Sequence, residues 1–390
     1  MADRRPLEGI RVIDFTTLVA GPWCTRLLAD CGAEVIKIET VGDGDVMRYA
    51  QPTVNGVSRS YAHFNCGKRS ISIDLKTPAG LDVARRLIER ADVVIENFRP
   101  GVMRRLSLDY DTVKQTHPKL VYCSVSGFGQ TGAMAGQAAY APIVHALSGL
   151  DHAFMTAQGD DGVPPASGVM LADVVAAVYA FGAIQTALLH RERNGVGTHI
   201  DATLIEATMS LVAFQFLLAQ TPESKPLTVF RPIRTRDGYV ISPLVTARNY
   251  TTMYEIIERT DWLSDSNYTA LPGIQQHRDE IEAAVAQWAC ERTTAEIEQT
   301  LVAAGIACAP YRSAGETLQD AHLRDRGSFA AMDDGSSYFV LNPPFKLSDT
   351  DCTARPWVAE HGEHTRDVAR TVLALSDGEI DRLYKEHAFG

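Results

Sequence analysis

Residues 11–38, RVIDFTTLVAGPWCTRLLADCGAEVIKI, decide the fold. Arg11 to Phe15 and Glu34 to Ile38 are short runs rich in β-branched side chains, as strands are. Between them Pro22 stands where a helix takes its N1 proline, and Gly32 stands where that helix closes. Strand, helix and strand of these lengths form a βαβ unit, whose two strands must run parallel. The pattern recurs further on. Ser70 to Leu75 is a strand, Thr77-Pro78 is a cap and N1 pair opening an amphipathic helix to about Arg90, and Asp92 to Ile95 is the next strand. Leu120 to Val125 and Thr198 to Ala202 add two more. Repeated units of this kind predict an α/β fold, a mainly parallel sheet covered by helices on both faces.

The texture changes near Gln220 to Pro226, a polar, proline-containing stretch that reads as a linker. Beyond it Asp237-Gly238 precedes an alternating apolar run and signals a hairpin. Helices come next around Tyr250 to Glu258, Asp279 to Cys290 and Thr294 to Ala304, so a smaller α+β domain is expected over 227–328 after a first domain of 1–220. From about Phe329 the chain returns to strand signals and two short helices.

Composition bounds the function. The chain has 390 residues, 45% hydrophobic and 22% charged, enough for a large core and a smaller one and far from the composition of disorder. A formal charge of -11 argues against nucleic acid as a partner. The charged N-terminus leads into a strand without an apolar signal region, and seven scattered cysteines show neither a Cys-x-x-Cys pair nor zinc spacing. Reduced thiols in a cytoplasmic protein with no metal are the expectation. Val169 to Leu189 is apolar and long enough to cross a bilayer, but it is rich in alanine and carries Asp173, Gln185 and Thr186. A helix buried on every side of a soluble core is the reading taken, with no membrane partner.

Three features carry chemistry. Gly127-Phe-Gly-Gln-Thr-Gly132 matches G-x-G-x-x-G after a strand, but Gly136 and Pro142 interrupt the next segment and no acidic strand end stands ready for a ribose, so a dinucleotide site is set aside. Asp173 is, with His190, the only acidic or basic side chain between Asp161 and Arg191. Pro164, Pro165 and Gly168 precede it, which places it in the first turn of the apolar helix, where N–H groups and the helix dipole stabilise an anion. Sequence alone leaves two roles open, a plain helix-terminal carboxylate or a nucleophile. From Lys68 to Arg105 nine lysines and arginines stand against five acids, a basic patch in an acidic protein and suited to phosphates. Arg85, Arg86 and Arg90 form the wet face of a helix; Lys76, Arg99 and Arg105 lie at element ends and remain ligand candidates.

Over nearly its whole length the chain resembles the class III CoA-transferases, the CaiB/BaiF type. The resemblance rests on Leu7-Glu8-Gly9-Ile10, Asp14-Phe15-Thr16, Ala20-Gly21-Pro22, Gly32 to Glu39 and Gly44-Asp45. It continues in Asn65-Cys66-Gly67-Lys68-Arg69-Ser70, Asp74-Leu75-Lys76, Asp92 to Gly101, Ser126 to Gly129 and Gly362 to Thr365. It implies a large Rossmann-like domain built from both ends of the chain, so that 329–390 rejoins the first domain, a small middle domain, and two subunits interlinked as rings in a homodimer. It also implies CoA contacts at Val19, Ala20, Ile73, Asp74, Leu75, Lys76, Asn97, Phe98, Arg99, Arg105 and Tyr140, and it places the family's nucleophile on Asp173. Coenzyme A is then a cosubstrate, and no other cofactor is needed.

Two departures bear on the substrate. Thr40 stands where several members have an arginine, and Phe230 to Thr246 lacks the glycine loop of formyl-CoA transferases. The family also contains α-methylacyl-CoA racemases, which need a histidine where this chain has Gln137 and a small-domain glutamate where the stretch between Asp237 and Glu255 offers none. A two-base proton shuttle cannot run on Gln137. Racemase is therefore the second reading, and a non-catalytic CoA- or dinucleotide-binding protein a remote third. The expected reaction moves CoA from an acyl-CoA thioester to a carboxylic acid through an aspartyl-CoA thioester, with oxyanion donors sought in the Gly127 to Gly132 loop or at the small-domain edge. Arg231, Arg234 or Arg236 could pair with the second carboxylate of a dicarboxylic acid such as succinate.

Overall fold

The computed structural model describes residues 5–158, 162–166, 168–221, 223 and 229–390. The chain divides into two compact units, one made of Met1–Pro222 and Asp325–Gly390, the other of Glu223–Arg324. Residues 222 and 224–228, the heart of the expected linker, lie outside the described residues, as do 1–4 of the N-terminus.

The larger unit is organised by a six-stranded sheet. Its strands are β1 (Arg11–Asp14), β2 (Glu34–Glu39), β3 (Arg69–Ser72), β4 (Val93–Glu96), β5 (Val121–Ser126) and β6 (Thr198–Thr203), every pair parallel, in the spatial order β3-β2-β1-β4-β5-β6. Strand order reverses between β1 and β4, where a crevice opens at the carboxyl ends of the strands. The strands are buried on both faces because alternate side chains feed two cores. Val12, Val35, Val93 and Val121 face one core with α1 (Ala20–Asp30) and α4 (Leu171–Asn194). Ile13, Ile36, Val94 and Tyr122 face the other with α2 (Pro78–Ile88) and the C-terminal helices Thr365–Thr371 and Asp377–Lys385. The C-terminal segment thus covers one face of a sheet begun at residue 11.

Local signals act as the residues require. Thr77 caps α2 by accepting the Gly80 N–H at 3.0 Å. Gly32 closes α1 at φ 107°, and a Cβ there would run into the Arg5 side chain. Pro22 is not at N1, since α1 already begins at Ala20, but it remains in the first turn, where a missing N–H costs no hydrogen bond.

One expectation fails. α4 is not buried on every side: Ala172, Ala176, Ala177, Ala180, Ile184, Ala187 and Leu188 are buried, whereas Val174, Val178, Tyr179 and Leu189 are exposed. A 24-residue helix this apolar is long enough to cross a membrane, yet its alanine stripe packs on α1 and the sheet. Small side chains permit that close approach; the larger ones were left outside.

The smaller unit contains an antiparallel three-stranded sheet, Ile233–Arg234, Tyr239–Ile241 and Ala309–Pro310, with Tyr239–Ile241 in the centre. The Asp237-Gly238 turn joins the first two strands, and the Asp237 carboxylate accepts the Thr294 N–H at 2.8 Å at the start of helix Thr294–Ala303. Helices Ala247–Ile256, Arg278–Cys290 and Thr294–Ala303 close its core around Val240, Tyr254, Trp262 and Ile281.

Candidate active site

Asp173 is the third residue of α4, half-buried in its first turn. Burial pushes its pKa up to about 6, while hydrogen bonds from its own backbone and from Ala20 pull the other way. Ala20 opens α1. The carboxylate therefore meets the N-terminal ends of two helices, which favour an anion through N–H groups rather than through a cation. Among the described residues no lysine or arginine contributes to its titration. A carboxylate stripped of part of its water and left without a counter-ion keeps its lone pairs available for attack.

His145 completes this turn. It lies in α3 (Ala141–Ser148), is 2% exposed, and its Nε2 accepts the N–H of Ala172 at 3.1 Å. Met170, at the head of α4, offers the helix no side-chain cap; the imidazole takes that role for the N–H adjacent to the aspartate. Nothing in the sequence spacing marked His145, because the contact joins separate helices.

A cavity of about 310 Å³ opens beside the carboxylate at the point where strand order reverses. Leu18, Val19, Ala20, Asn97, Tyr140 and Asp173 line it, together with Met47, Ser126 and Gly127. Five of the residues expected from the sequence thus come together from four separate segments. All follow the carboxyl ends of strands or open the helices that come after them.

The loop from Thr16 to Ala20 is held in a conformation it would not adopt freely. Leu18 has φ 67°, a left-handed backbone that costs a leucine roughly 1–3 kcal/mol. The restraint comes from a buried polar network. Lys37 Nζ donates to the Thr16 carbonyl at 2.6 Å and pairs with Asp45 at 3.0 Å, and Asp45 in turn accepts the Leu18 N–H at 3.3 Å. Asn97 grips Thr17 twice, accepting its N–H at 2.9 Å and donating to its carbonyl at 2.8 Å. Lys68 pairs with Asp14 at 3.1 Å and donates to Pro22 O and Asn65 Oδ1, both at 2.9 Å, tying α1 to the sheet. Burial opposes the Asp14 anion, but Lys68, Lys37 and the hydroxyls of Thr16 and Thr25 outweigh it and hold the carboxyl below its usual range. Burial brings Lys68 down to about 8 against the pull of Asp14.

The other expected residues divide. Lys76, Arg99 and Arg105 are exposed and have no carboxylate partner among the described residues, so their cationic heads are available to an anion. Arg99 lines a neighbouring cavity of about 280 Å³ with Glu96, whose pKa burial raises to about 7. Asp74 Oδ1 accepts the Lys76 N–H at 2.9 Å and fixes that turn. Ile73 departs from the sequence reading: the whole residue is buried in the core, and its N–H is donated to the Glu39 carbonyl at 2.9 Å. Leu75 and Phe98 are half-buried against the same core. Lys68 leaves the phosphate-facing patch altogether, being spent on Asp14. Two N–H groups of the glycine loop are also committed, Gly129 to Ser126 Oγ at 3.0 Å and Gln130 to Asp201 Oδ2 at 2.9 Å, which removes them as oxyanion donors. Gln137 is exposed and outside the cavity lining.

Comparison with known proteins gives the family. The profile described as CoA-transferase family III matches residues 7–365. The chain is 33% identical to succinate–glutarate CoA-transferase of Agrobacterium fabrum, covering 94% of this chain and 96% of that one. It is 30% identical to succinyl-CoA:glutarate CoA-transferase of Mus musculus over 97% and 89% of the two chains. A CaiB/BaiF family protein from Brucella suis superposes with a TM-score of 0.81 at 28% identity, over 94% of this chain and 98% of that chain. The chain belongs to CoA-transferase family III and is a CoA-transferase.

Proposed function

We propose that the enzyme moves CoA from a succinyl-type thioester to a second carboxylic acid through covalent intermediates on Asp173. The observation that carries this reading is the Asp173 carboxylate itself, partly desolvated, without a counter-ion among the described residues, and facing a cavity among residues matching the family's CoA contacts. In the first step a carboxylate oxygen of Asp173 attacks the thioester carbonyl, the C–S bond breaks, and an acyl-aspartyl anhydride and CoA thiolate result. The thiolate then attacks the aspartyl carbonyl, releasing the donor acid and leaving an aspartyl-CoA thioester. The acceptor carboxylate reverses both steps. Ala20 N–H, at the head of α1, is the donor proposed for the charge that develops on the aspartyl oxygen.

Lys76, Arg99 and Arg105 are proposed to hold the phosphates of CoA, since guanidinium and ammonium groups without carboxylate partners suit them. Val19, Ala20, Asn97 and Tyr140 are proposed to line the path of its pantetheine arm, with Asp74, Leu75 and Phe98 as its borders. Succinyl-CoA and a dicarboxylate acceptor are the first substrates to test, because relatives bear the names succinate–glutarate and succinyl-CoA:glutarate CoA-transferase. The working form is proposed to be a cytoplasmic homodimer, in keeping with cysteines that are all unpaired and with the apolar side chains that α4 leaves exposed.

A mass-spectrometric screen of acyl-CoA donors against a panel of carboxylic acids tests the reading: CoA should pass from succinyl-CoA to a dicarboxylate. In heavy water the enzyme should put no deuterium on the α-carbon of a 2-methylacyl-CoA. Exchange there at a catalytic rate, with no transfer to any acid, would replace transferase by racemase.

A further inference from the structure

We infer that the smaller unit carries a binding site of its own for a small carboxylic acid with an apolar body. A cavity of about 290 Å³ lies wholly within this unit. Its floor is made of Ile233, Leu244, Met253, Ile281 and Val285, and it reaches the core, since Met253 and Ile281 are 0% and 1% exposed. Interiors are packed with few voids larger than a water, so a recess of this size down to core side chains is a built feature. Its rim carries Arg231, Arg234 and Arg278 against a single acid, Glu282. Glu282 is already taken by Arg278, which also donates to the Val229 carbonyl at 2.7 Å. Arg231 and Arg234 have no carboxylate partner among the described residues; the Arg234 guanidinium lies 6.0 Å from the Tyr239 ring centre.

With Glu282 taken by Arg278, Arg231 and Arg234 repel each other until an anion arrives, and a planar guanidinium matches a carboxylate in two hydrogen bonds. This lining therefore asks for one anionic end and one hydrocarbon end. The volume is at the small limit of ligand pockets, which run from about 300 Å³ upward, and excludes a nucleotide or CoA. An apolar floor disfavours inorganic phosphate and short, fully polar diacids. A monocarboxylate with an aryl or branched alkyl body fits both ends.

Such a site is independent of the chemistry at Asp173. The test uses the full-length protein and titration calorimetry with 4-phenylbutyrate, its neutral amide, succinate and inorganic phosphate. The acid should bind, the other three at least tenfold more weakly. The exposed pair Arg231→Gln/Arg234→Gln should weaken the acid at least tenfold, about one charged hydrogen bond, with unchanged melting temperature. Asp173→Ala should leave the affinity as it was, so that failure here and failure of the transfer reading are separate results. Affinity unchanged in the double variant, or an amide or phosphate binding as tightly as the acid, would overturn the assignment.

Discussion

Asp173 is poised by opposing effects, and both leave measurable traces. Burial raises its pKa to about 6, so the nucleophilic anion is the dominant form only above that pH. The expected kcat/KM profile falls tenfold per pH unit on the acid side with a break near 6; a break near 4 would mean the carboxylate is not desolvated in the free enzyme. The same shift opposes folding. A carboxyl whose folded pKa lies above its unfolded value, about 4, binds its proton more tightly when folded. Its cost is absent below pH 4, grows between 4 and 6, and is complete above 6. Asp173→Asn should therefore stabilise the protein by about 1–2 kcal/mol at pH 7.5, after allowance for partial exposure, and by almost nothing at pH 4. Melting curves at the two pH values check the sign. His145 makes a complementary case. His145→Leu leaves the Ala172 N–H unpaired in a buried place and should cost about 1–3 kcal/mol, with kcat reduced and the KM for acyl-CoA nearly unchanged. His145→Gln, which can still accept that hydrogen, should recover most of both.

At the level of elements, the decisive object is the turn from Thr16 to Ala20 between β1 and α1. The strand and helix on either side of it were legible from β-branched runs, a first-turn proline and a closing glycine. The turn's conformation was not, because Leu18 at φ 67° is imposed by Lys37, Asp45 and Asn97 from elsewhere in the chain. A lysine inside the strand sequence EVIKIE was the one visible trace; a buried cation there demands a buried partner. Lys37→Met leaves Asp45 uncompensated and should cost about 3–5 kcal/mol. Adding Asp45→Asn should return part of that loss, since the stranded charge is then gone. Thermal unfolding of both variants reads the difference, and loss of CoA affinity in Lys37→Met would show that the same network shapes the site. The apolar helix α4 was also legible as an element, but its surroundings were not. Hydrophobicity says that a side chain prefers not to meet water; it does not say which neighbour will cover it.

For the whole molecule, that uncovered stripe and the surface cations matter most. Val174 and Val178 stand one helical turn apart on α4, beside Tyr179, all exposed. If a second copy covers them, Val178→Glu should shift the protein from dimer to monomer in light scattering at micromolar concentration, and a wild-type monomer would refute the homodimer. Arg105→Ala should raise the KM for acyl-CoA more than it lowers kcat, because a phosphate contact remote from the thioester holds ground and transition states alike. Motif resemblance picked out five residues that line one cavity, while the supports of that cavity were not legible: Lys68 reads as part of a basic patch and is spent inside, and Ile73 reads as a contact and is core. Those distinctions need the third dimension, since burial is a property of the packed sheet and not of the residue. Everything proposed for the reaction depends on Asp173 carrying the CoA between acids. The enzyme should be incubated with succinyl-CoA and no acceptor, quenched, and digested. A CoA thioester is expected on the peptide containing Asp173, removed by hydroxylamine, and absent together with transfer activity in Asp173→Ala. A label on any other residue, or near-normal transfer by Asp173→Ala, would contradict it.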